Sequence, residues 1–161
     1  MKRSLSIVIL LCLLFSFTAC KQAREPILAP ANFYYRNAEI AFGAEDALIS
    51  AYAAETKEFD GRVIDILNFY VKGPYDSNHK FTFPSGTTIL RCNVSDDTAF
   101  IEVSNEFARL SGIDLTIACV CLTKTALELT GTSKATISAT SVPLDDNLSI
   151  TITQDNVLLK D

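Results

Sequence analysis

The sequence predicts an α+β domain in which two helices pack on one face of a mixed or antiparallel sheet. Segments 62–72 and 111–129 carry apolar residues at helical spacing, whereas several other segments alternate apolar and polar residues. Helical spacing gathers residues three and four apart on one face, and strand alternation gathers every second residue. Each apolar face must be buried against another element, so a layered α+β architecture follows.

Two strands are predicted at the start of the domain. Residues 32–36 read Asn-Phe-Tyr-Tyr-Arg, and aromatic residues suit the pleated surface of a strand. The alanine content of residues 48–57 would allow a helix, but a strand fits the element that follows better.

The first helix is predicted over residues 62–72, with Asp60 as its N-cap. One side of this helix is apolar: Val63, Ile66, Leu67 and Tyr70. The opposite side is polar: Asp65, Asn68 and Lys72. Gly73-Pro74 should end the helix, because proline cannot continue it. Residues 75–80 are then expected to form a polar loop.

A hairpin and a second helix follow. Residues 90–95 and 99–103 alternate in character around Asp96-Asp97, which predicts two antiparallel strands and a turn. Residues 111–129 predict a helix that Gly131 ends, and Ser111 with Asp114 resembles a capping box. Its main stripe is Leu115, Ala118, Leu122, Ala126 and Leu129, with Thr123 off it. Other apolar residues widen the stripe almost all round, which indicates a largely buried helix.

The last two strands are predicted at residues 135–139 and 148–152. Both segments alternate apolar and polar residues, and Asp145-Asp146-Asn147 marks the turn between them.

Residues 1–19 have the pattern of a lipoprotein signal peptide. Lys2 and Arg3 precede a short apolar run that ends at Phe17-Thr18-Ala19-Cys20. We therefore expect Cys20 to be acylated after cleavage, although Phe17 stands where a branched aliphatic residue is usual. The alternative is an ordinary secretory signal that is cut near Ala19.

The predicted organisation is a signal (1–19), a lipidated cysteine with a tether (20–31), and one domain (32–161). Eleven tether residues reach at most about 35–40 Å, so the domain should lie close to the outer face of the cytoplasmic membrane. Beyond the signal, the chain carries 12 basic and 19 acidic side chains, a net charge of −7. This balance argues against nucleic acid as a partner, since binding to phosphate relies on basic contacts.

The remaining cysteines, Cys92, Cys119 and Cys121, lie in apolar patterns and are expected to be small buried hydrophobes. A bridge from Cys92 to Cys119 or Cys121 is the alternative. No cluster of His or Cys has zinc-ligand spacing, and no cofactor motif is present, so no metal site and no cofactor are expected.

The sequence contains few groups for catalysis. His79 is the only histidine, and its polar surroundings predict a solvated loop residue. The acidic pairs Asp96-Asp97 and Asp145-Asp146 are expected to be solvated turns, because EF-hand spacing is absent. An envelope hydrolase would act through carboxylates such as Glu102 or Asp65. No catalytic residue is predicted, and we expect a protein that is not an enzyme.

Three short motifs in the correct order resemble GerMN domains, which are named for a sporulation and spore-germination protein of Gram-positive bacteria. Residues 67–74 (Leu-Asn-Phe-Tyr-Val-Lys-Gly-Pro) resemble the end of their first helix, and residues 83–87 (Phe-Pro-Ser-Gly-Thr) resemble their Pro-x-Gly-Thr segment. Residues 96–104 resemble their Asp-Gly-x-Ala-x-Val-Asp-Leu-Ser hairpin, with Asp97 in place of the turn glycine.

The resemblance implies a fold of the ring-building-motif type and an extracytoplasmic lipoprotein of sporulation or cell-envelope assembly. Such a module would be anchored to the membrane by lipid and would act through an envelope protein partner or self-association. The alternatives are a hydrolase acting on peptidoglycan or glycan, and a lipoprotein that modulates a membrane sensor.

Cys20→Ser should release the protein from the membrane fraction or block its processing, because the acyl chains would have no thiol to join. Fractionation of cells and electrophoretic migration measure both effects. A variant that fractionates and migrates like the wild type would contradict lipidation at this residue.

Overall fold

A computed structural model describes residues 30–40, 48–56, 59, 61–139 and 149–153. The signal peptide, most of the tether and the predicted turn at 145–147 lie outside these residues. In the described part, two α-helices and seven strands form an α+β domain, which confirms the predicted fold class. The strands form two sheets, where one had been expected.

Sheet 1 is antiparallel, with strand order β2-β1-β3. Its strands are β1 (Ala31–Asn37), β2 (Ile49–Ala54) and β3 (His79–Lys80). The two strands predicted at the start of the domain are confirmed. The loop predicted over 75–80 is wrong for its last two residues, which pair with Arg36 and Asn37. A two-residue strand has no periodicity of its own, so only its distant partner defines it.

Sheet 2 is mixed, with strand order β4-β5-β6-β7. Its strands are β4 (Ile89–Ser95), β5 (Thr98–Val103), β6 (Lys134–Ala139) and β7 (Ser149–Thr153). The β4–β5 hairpin is antiparallel as predicted, with Asp96 and Asp97 at its turn. β5 and β6 are parallel, so a crossover must connect them. A 3-10 helix (Asn105–Arg109) and helix α2 (Gly112–Thr130) form this crossover.

Helix α1 (Val63–Tyr70) connects to sheet 2 through Asn68. The Asn68 side-chain amide donates to the Ile89 carbonyl oxygen at 3.0 Å, and its oxygen accepts the Ile89 N–H at 2.9 Å. Asn68 had been predicted on a polar outer side, so this contact corrects that expectation. The helix also begins after Arg62 rather than after Asp60, which lies outside the described residues.

Two tyrosines attach α1 to sheet 1. The Tyr35 hydroxyl donates to the Tyr70 carbonyl oxygen, and the Tyr70 hydroxyl donates to the Tyr34 carbonyl oxygen, both at 2.7 Å. Both tyrosines are fully buried, and burial raises the pKa of each phenol. Each buried hydroxyl thereby has a hydrogen-bond partner, and the Tyr70 carbonyl oxygen also accepts the Gly73 N–H at 3.1 Å.

Gly73 lies tightly against the same tyrosine. A Cβ added there would approach the Tyr35 hydroxyl to 2.7 Å and the Tyr75 ring to 2.6 Å. The Gly73-Pro74 peptide bond is cis. The sequence motif that ends α1 is thus explained by close packing as well as by helix termination.

Helix α2 contacts strands of both sheets. Ile117 and Cys121 pack against Ile49 of sheet 1, whereas Leu122 and its neighbours join the main core with sheet 2. Burial from two sides explains why the sequence of α2 is apolar almost all round. Thr123, predicted to lie off the apolar stripe, is also fully buried.

The sequence predicted the C-terminal end of α2 correctly but not the cap at its N-terminal end. Gly131 adopts φ +67° and donates its N–H to the Leu127 carbonyl oxygen at 2.8 Å, which confirms the predicted C-terminal stop. The Ser111 side chain forms no capping hydrogen bond, so the predicted capping box is absent. Asp114 instead lies 3.9 Å from the Arg36 guanidinium. Among the described residues, no helix is both long and apolar enough to cross a bilayer.

Leu122→Ala should lower the free energy of unfolding by about 2–5 kcal/mol, because Leu122 is fully buried and the change leaves a cavity. Ile113→Ala is the matched control, since Ile113 is on the same helix but 55% exposed. Its cost should stay within about 1 kcal/mol. Urea midpoints measure both, and equal midpoints would contradict the packing of α2.

Gly73→Ala should destabilise the domain, because the new methyl group displaces the Tyr35 hydroxyl from the Tyr70 carbonyl oxygen. Tyr35→Phe removes that hydroxyl, so part of the cost of Gly73→Ala should disappear in the Tyr35→Phe background. A double-mutant cycle of unfolding free energies measures this coupling. Strict additivity of the two changes would show that the methyl group and the hydroxyl do not compete.

Candidate functional site

The prediction that His79 is a solvated loop residue is wrong. Its side chain is only 6% exposed and lies on β3 rather than in a loop. The Nε2 atom lies 2.9 Å from the Ser50 hydroxyl, and the Nδ1 atom lies 2.7 Å from Asp76 Oδ1. Tyr35 and Tyr52 pack beside the imidazole, with ring centroids at 5.8 and 6.3 Å. The structure therefore brings a hydroxyl, an imidazole and a carboxylate into one hydrogen-bonded series.

Asp76 is held in place by the chain around it. Its Oδ1 atom also accepts the Asn78 N–H at 3.0 Å. Desolvation acts to raise the pKa of Asp76, but the hydrogen bonds from His79 and Asn78 outweigh it and lower the pKa overall. An ionised carboxylate only accepts hydrogen bonds, so the Nδ1 atom of His79 carries a proton and Nε2 can accept one from Ser50.

Glu102 and Asp65, the carboxylates considered for a hydrolase, lie on different elements. Glu102 on β5 lies 3.3 Å from Arg91, and Asp65 on α1 lies 2.6 Å from Arg62. Each side chain contacts an arginine at the protein surface. These contacts are typical of surface ion pairs, which contribute little to stability.

The acidic hairpin turn has a structural role. Asp96 and Asp97 adopt φ values of +47° and +63°, as a tight hairpin turn requires. Asp97 accepts both the N–H and the hydroxyl of Ser133, and these hydrogen bonds lower its pKa. The turn is thereby attached to the segment between α2 and β6, a contact that glycine could not make. Asp145 and Asp146 lie outside the described residues.

In the part of the chain that the structure describes, Cys92, Cys119 and Cys121 have free thiols. Cys119 and Cys121 are buried as predicted, whereas Cys92 is only partly buried. Burial raises the pKa of Cys119 to about 11 and that of Cys121 to about 12, so both thiols stay protonated at neutral pH. Across the described ranges, no group of three or more His, Cys, Asp or Glu side chains could hold a metal ion. Cys20, the predicted lipidation site, lies outside the described residues.

An exposed aromatic side chain follows β3. Phe81 is 69% exposed and lines two depressions of about 270 and 630 Å³. Arg36 and Asp114 border the smaller depression, and Lys72 borders the larger one. We call Phe81 and the two depressions the Phe81 surface.

Sequence reasoning missed both the hydrogen-bonded series of Ser50, His79 and Asp76 and the Phe81 surface. The three-residue spacing from Asp76 to His79 was a local signal that the two could interact. Ser50 is 29 residues from His79 in the chain, and only the pairing of both β2 and β3 with β1 brings them together. Phe81 had no signal of exposure, since an apolar residue in a sequence is expected to be inside.

The structure is similar to solved structures of GerMN domains. It matches the first GerMN domain of the sporulation protein GerM from Bacillus subtilis with a TM-score of 0.60 and 15% sequence identity, over 79% of this chain and 98% of that one. It matches the tandem GerMN domains of the same protein with a TM-score of 0.52 and 15% identity, over 73% of this chain and 41% of that one.

Sequence comparison alone finds no such likeness. No protein-family model matches the chain, and no curated protein matches it either. At 15% identity, the structural likeness is evidence about the fold and not about a shared activity. On that basis, this chain has the fold of a GerMN domain.

Proposed function

We propose that this chain is a lipid-anchored module on the outer face of the cytoplasmic membrane. It acts in sporulation or cell-envelope assembly by contacting an envelope protein or a second copy of itself. The GerMN fold, shared with a sporulation protein, supports the setting. The signal pattern that ends at Cys20 supports the location and the anchor. This role depends on contacts and needs no catalytic residue.

The observation that carries the proposal is the Phe81 surface. Single exposed apolar residues are common on proteins, but Phe81 is a large aromatic side chain that lines two depressions. Interfaces derive most of their binding energy from a few aromatic or arginine side chains near well-formed pockets. Arg36, Asp114 and Lys72 at the margins would supply the polar rim that such interfaces have.

The hydrolase alternative, as the sequence framed it, gains little support. Glycoside hydrolysis requires two carboxylates that flank one bond. Glu102 and Asp65 lie on different elements, and each contacts its own arginine. The alternative of a lipoprotein that modulates a membrane sensor is a form of the contact role, because it also requires a protein interface.

Phe81→Ala should impair the cellular role while leaving the fold intact, because the side chain is exposed and contributes little to the core. Loss of a central interface residue costs about 2 kcal/mol or more, so partner binding should weaken by at least about tenfold. Complementation of a deletion strain measures the role, and thermal unfolding of the purified protein verifies the fold.

Phe100→Ala is the matched control, since Phe100 is also an exposed phenylalanine, at 46%, but belongs to sheet 2. It should behave like the wild type. Sedimentation of the wild type and Phe81→Ala would separate self-association from a different partner, because only self-association changes the mass of the pure protein. Full complementation by Phe81→Ala would contradict the proposed surface.

A further inference from the structure

The Ser50, His79 and Asp76 side chains have the order of contacts that an activated serine requires. Asp76 Oδ1 lies 2.7 Å from Nδ1 of His79, and Ser50 Oγ lies 2.9 Å from Nε2. In serine hydrolases the carboxylate orients the imidazole through Nδ1, and Nε2 takes the hydroxyl proton. Each ring nitrogen of His79 faces the partner that this chemistry demands.

The series is also preorganised. The His79 side chain is 6% exposed and lies beside the rings of Tyr35 and Tyr52. The Asn78 N–H fixes the carboxylate of Asp76. An imidazole that cannot rotate holds its proton-accepting nitrogen on the serine, which is a requirement for general-base catalysis.

Ser50 is accessible, because it is partly exposed and lies on a strand at the edge of sheet 1. The Asn37 N–H donates to the Leu48 carbonyl oxygen, so antiparallel alternation makes Tyr35 and Ser50 the next hydrogen-bonded pair. The N–H of Ala51 is then directed to the edge, away from β1. The backbone N–H after a nucleophilic serine is a donor that can stabilise an oxyanion.

We propose that Ser50 is the nucleophile of a site that hydrolyses carboxylic esters. His79 is the general base, and Asp76 is the residue that positions it. Esters fit this site better than amides, because the one oxyanion donor found among the described residues supplies limited stabilisation to the transition state.

The reaction has two balanced steps. Ser50 Oγ bonds to the acyl carbon as its proton passes to Nε2, and the bond from the acyl carbon to the alcohol oxygen breaks as Nε2 protonates the leaving alcohol. Water then attacks the acyl-serine and gives a proton to His79. The bond to Ser50 breaks, the carboxylic acid leaves, and the serine regains its proton.

This activity goes beyond the contact role and has its own readout. The full-length protein in detergent should be labelled at Ser50 by a fluorophosphonate probe, with the site identified by mass spectrometry. It should also hydrolyse p-nitrophenyl acetate. Labelling of the wild type needs no variant, so absence of label at Ser50 would overturn the proposal even if a variant failed to fold.

Variants assign the roles. Ser50→Ala and His79→Asn should lower hydrolysis by about 100-fold or more. Ser138→Ala is the matched control: Ser138 is a partly buried strand serine, and His79 is the only histidine that could activate a serine. For Asp76→Asn, the pH dependence of labelling should shift, because the imidazole loses its carboxylate partner. If Ser50→Ala hydrolysed the ester at the wild-type rate, the proposed serine site would be wrong. That result would not bear on the contact role of the Phe81 surface.

Discussion

The reciprocal hydrogen bonds of Tyr35 and Tyr70 fix the position of α1 on sheet 1, and much of the remaining structure depends on that position. Each hydroxyl satisfies a backbone carbonyl of the other element, so neither element can shift without leaving buried polar groups unpaired. The chain leaves α1 at Gly73, where only a glycine fits beside the Tyr35 hydroxyl. That exit directs residues 74–80 back across the sheet to pair with β1.

The packing of helix α2 is the second constraint on the fold. It contacts strands of both sheets, and the larger core includes residues from both sheets and both helices. The division into two sheets follows from this arrangement: the helices, rather than a continuous hydrogen-bonded ladder, connect them. The buried hydroxyl of Thr125 accepts the Tyr34 N–H at 3.0 Å, so even a polar residue of α2 contributes to its attachment to β1.

The helices and strands could be predicted from the sequence because the spacing of apolar residues within each segment is that of a helix or a strand. The helix over 111–129 and the hairpin around Asp96-Asp97 are found almost where the pattern places them. The errors concern residues whose role depends on distant partners. Asn68 has the position of an exposed residue on an isolated helix, yet it bonds to Ile89; Thr123 is buried because a second layer covers α2. The series at His79 was missed for the same reason, since its serine comes from another strand.

Asp76 and His79 of the serine site, and Phe81 of the contact surface, all lie on the segment between α1 and β4. The segment leaves the helix at Gly73 and ends at Ile89. The side-chain amide of Asn68, on the same helix, donates to the Ile89 carbonyl oxygen and accepts the Ile89 N–H. The segment therefore starts and finishes on α1, and its pairing with β1 fixes its middle.

Functional residues commonly lie on connecting segments that a rigid scaffold positions. Here one such segment presents His79, held by Asp76, to Ser50 of β2, and Phe81 to solvent. Phe81 follows β3, whereas Ser50 lies on β2 at the opposite edge of sheet 1, with β1 between them. The contact surface and the proposed serine site therefore share one supporting segment, but Ser50 and Phe81 lie toward different edges of the sheet.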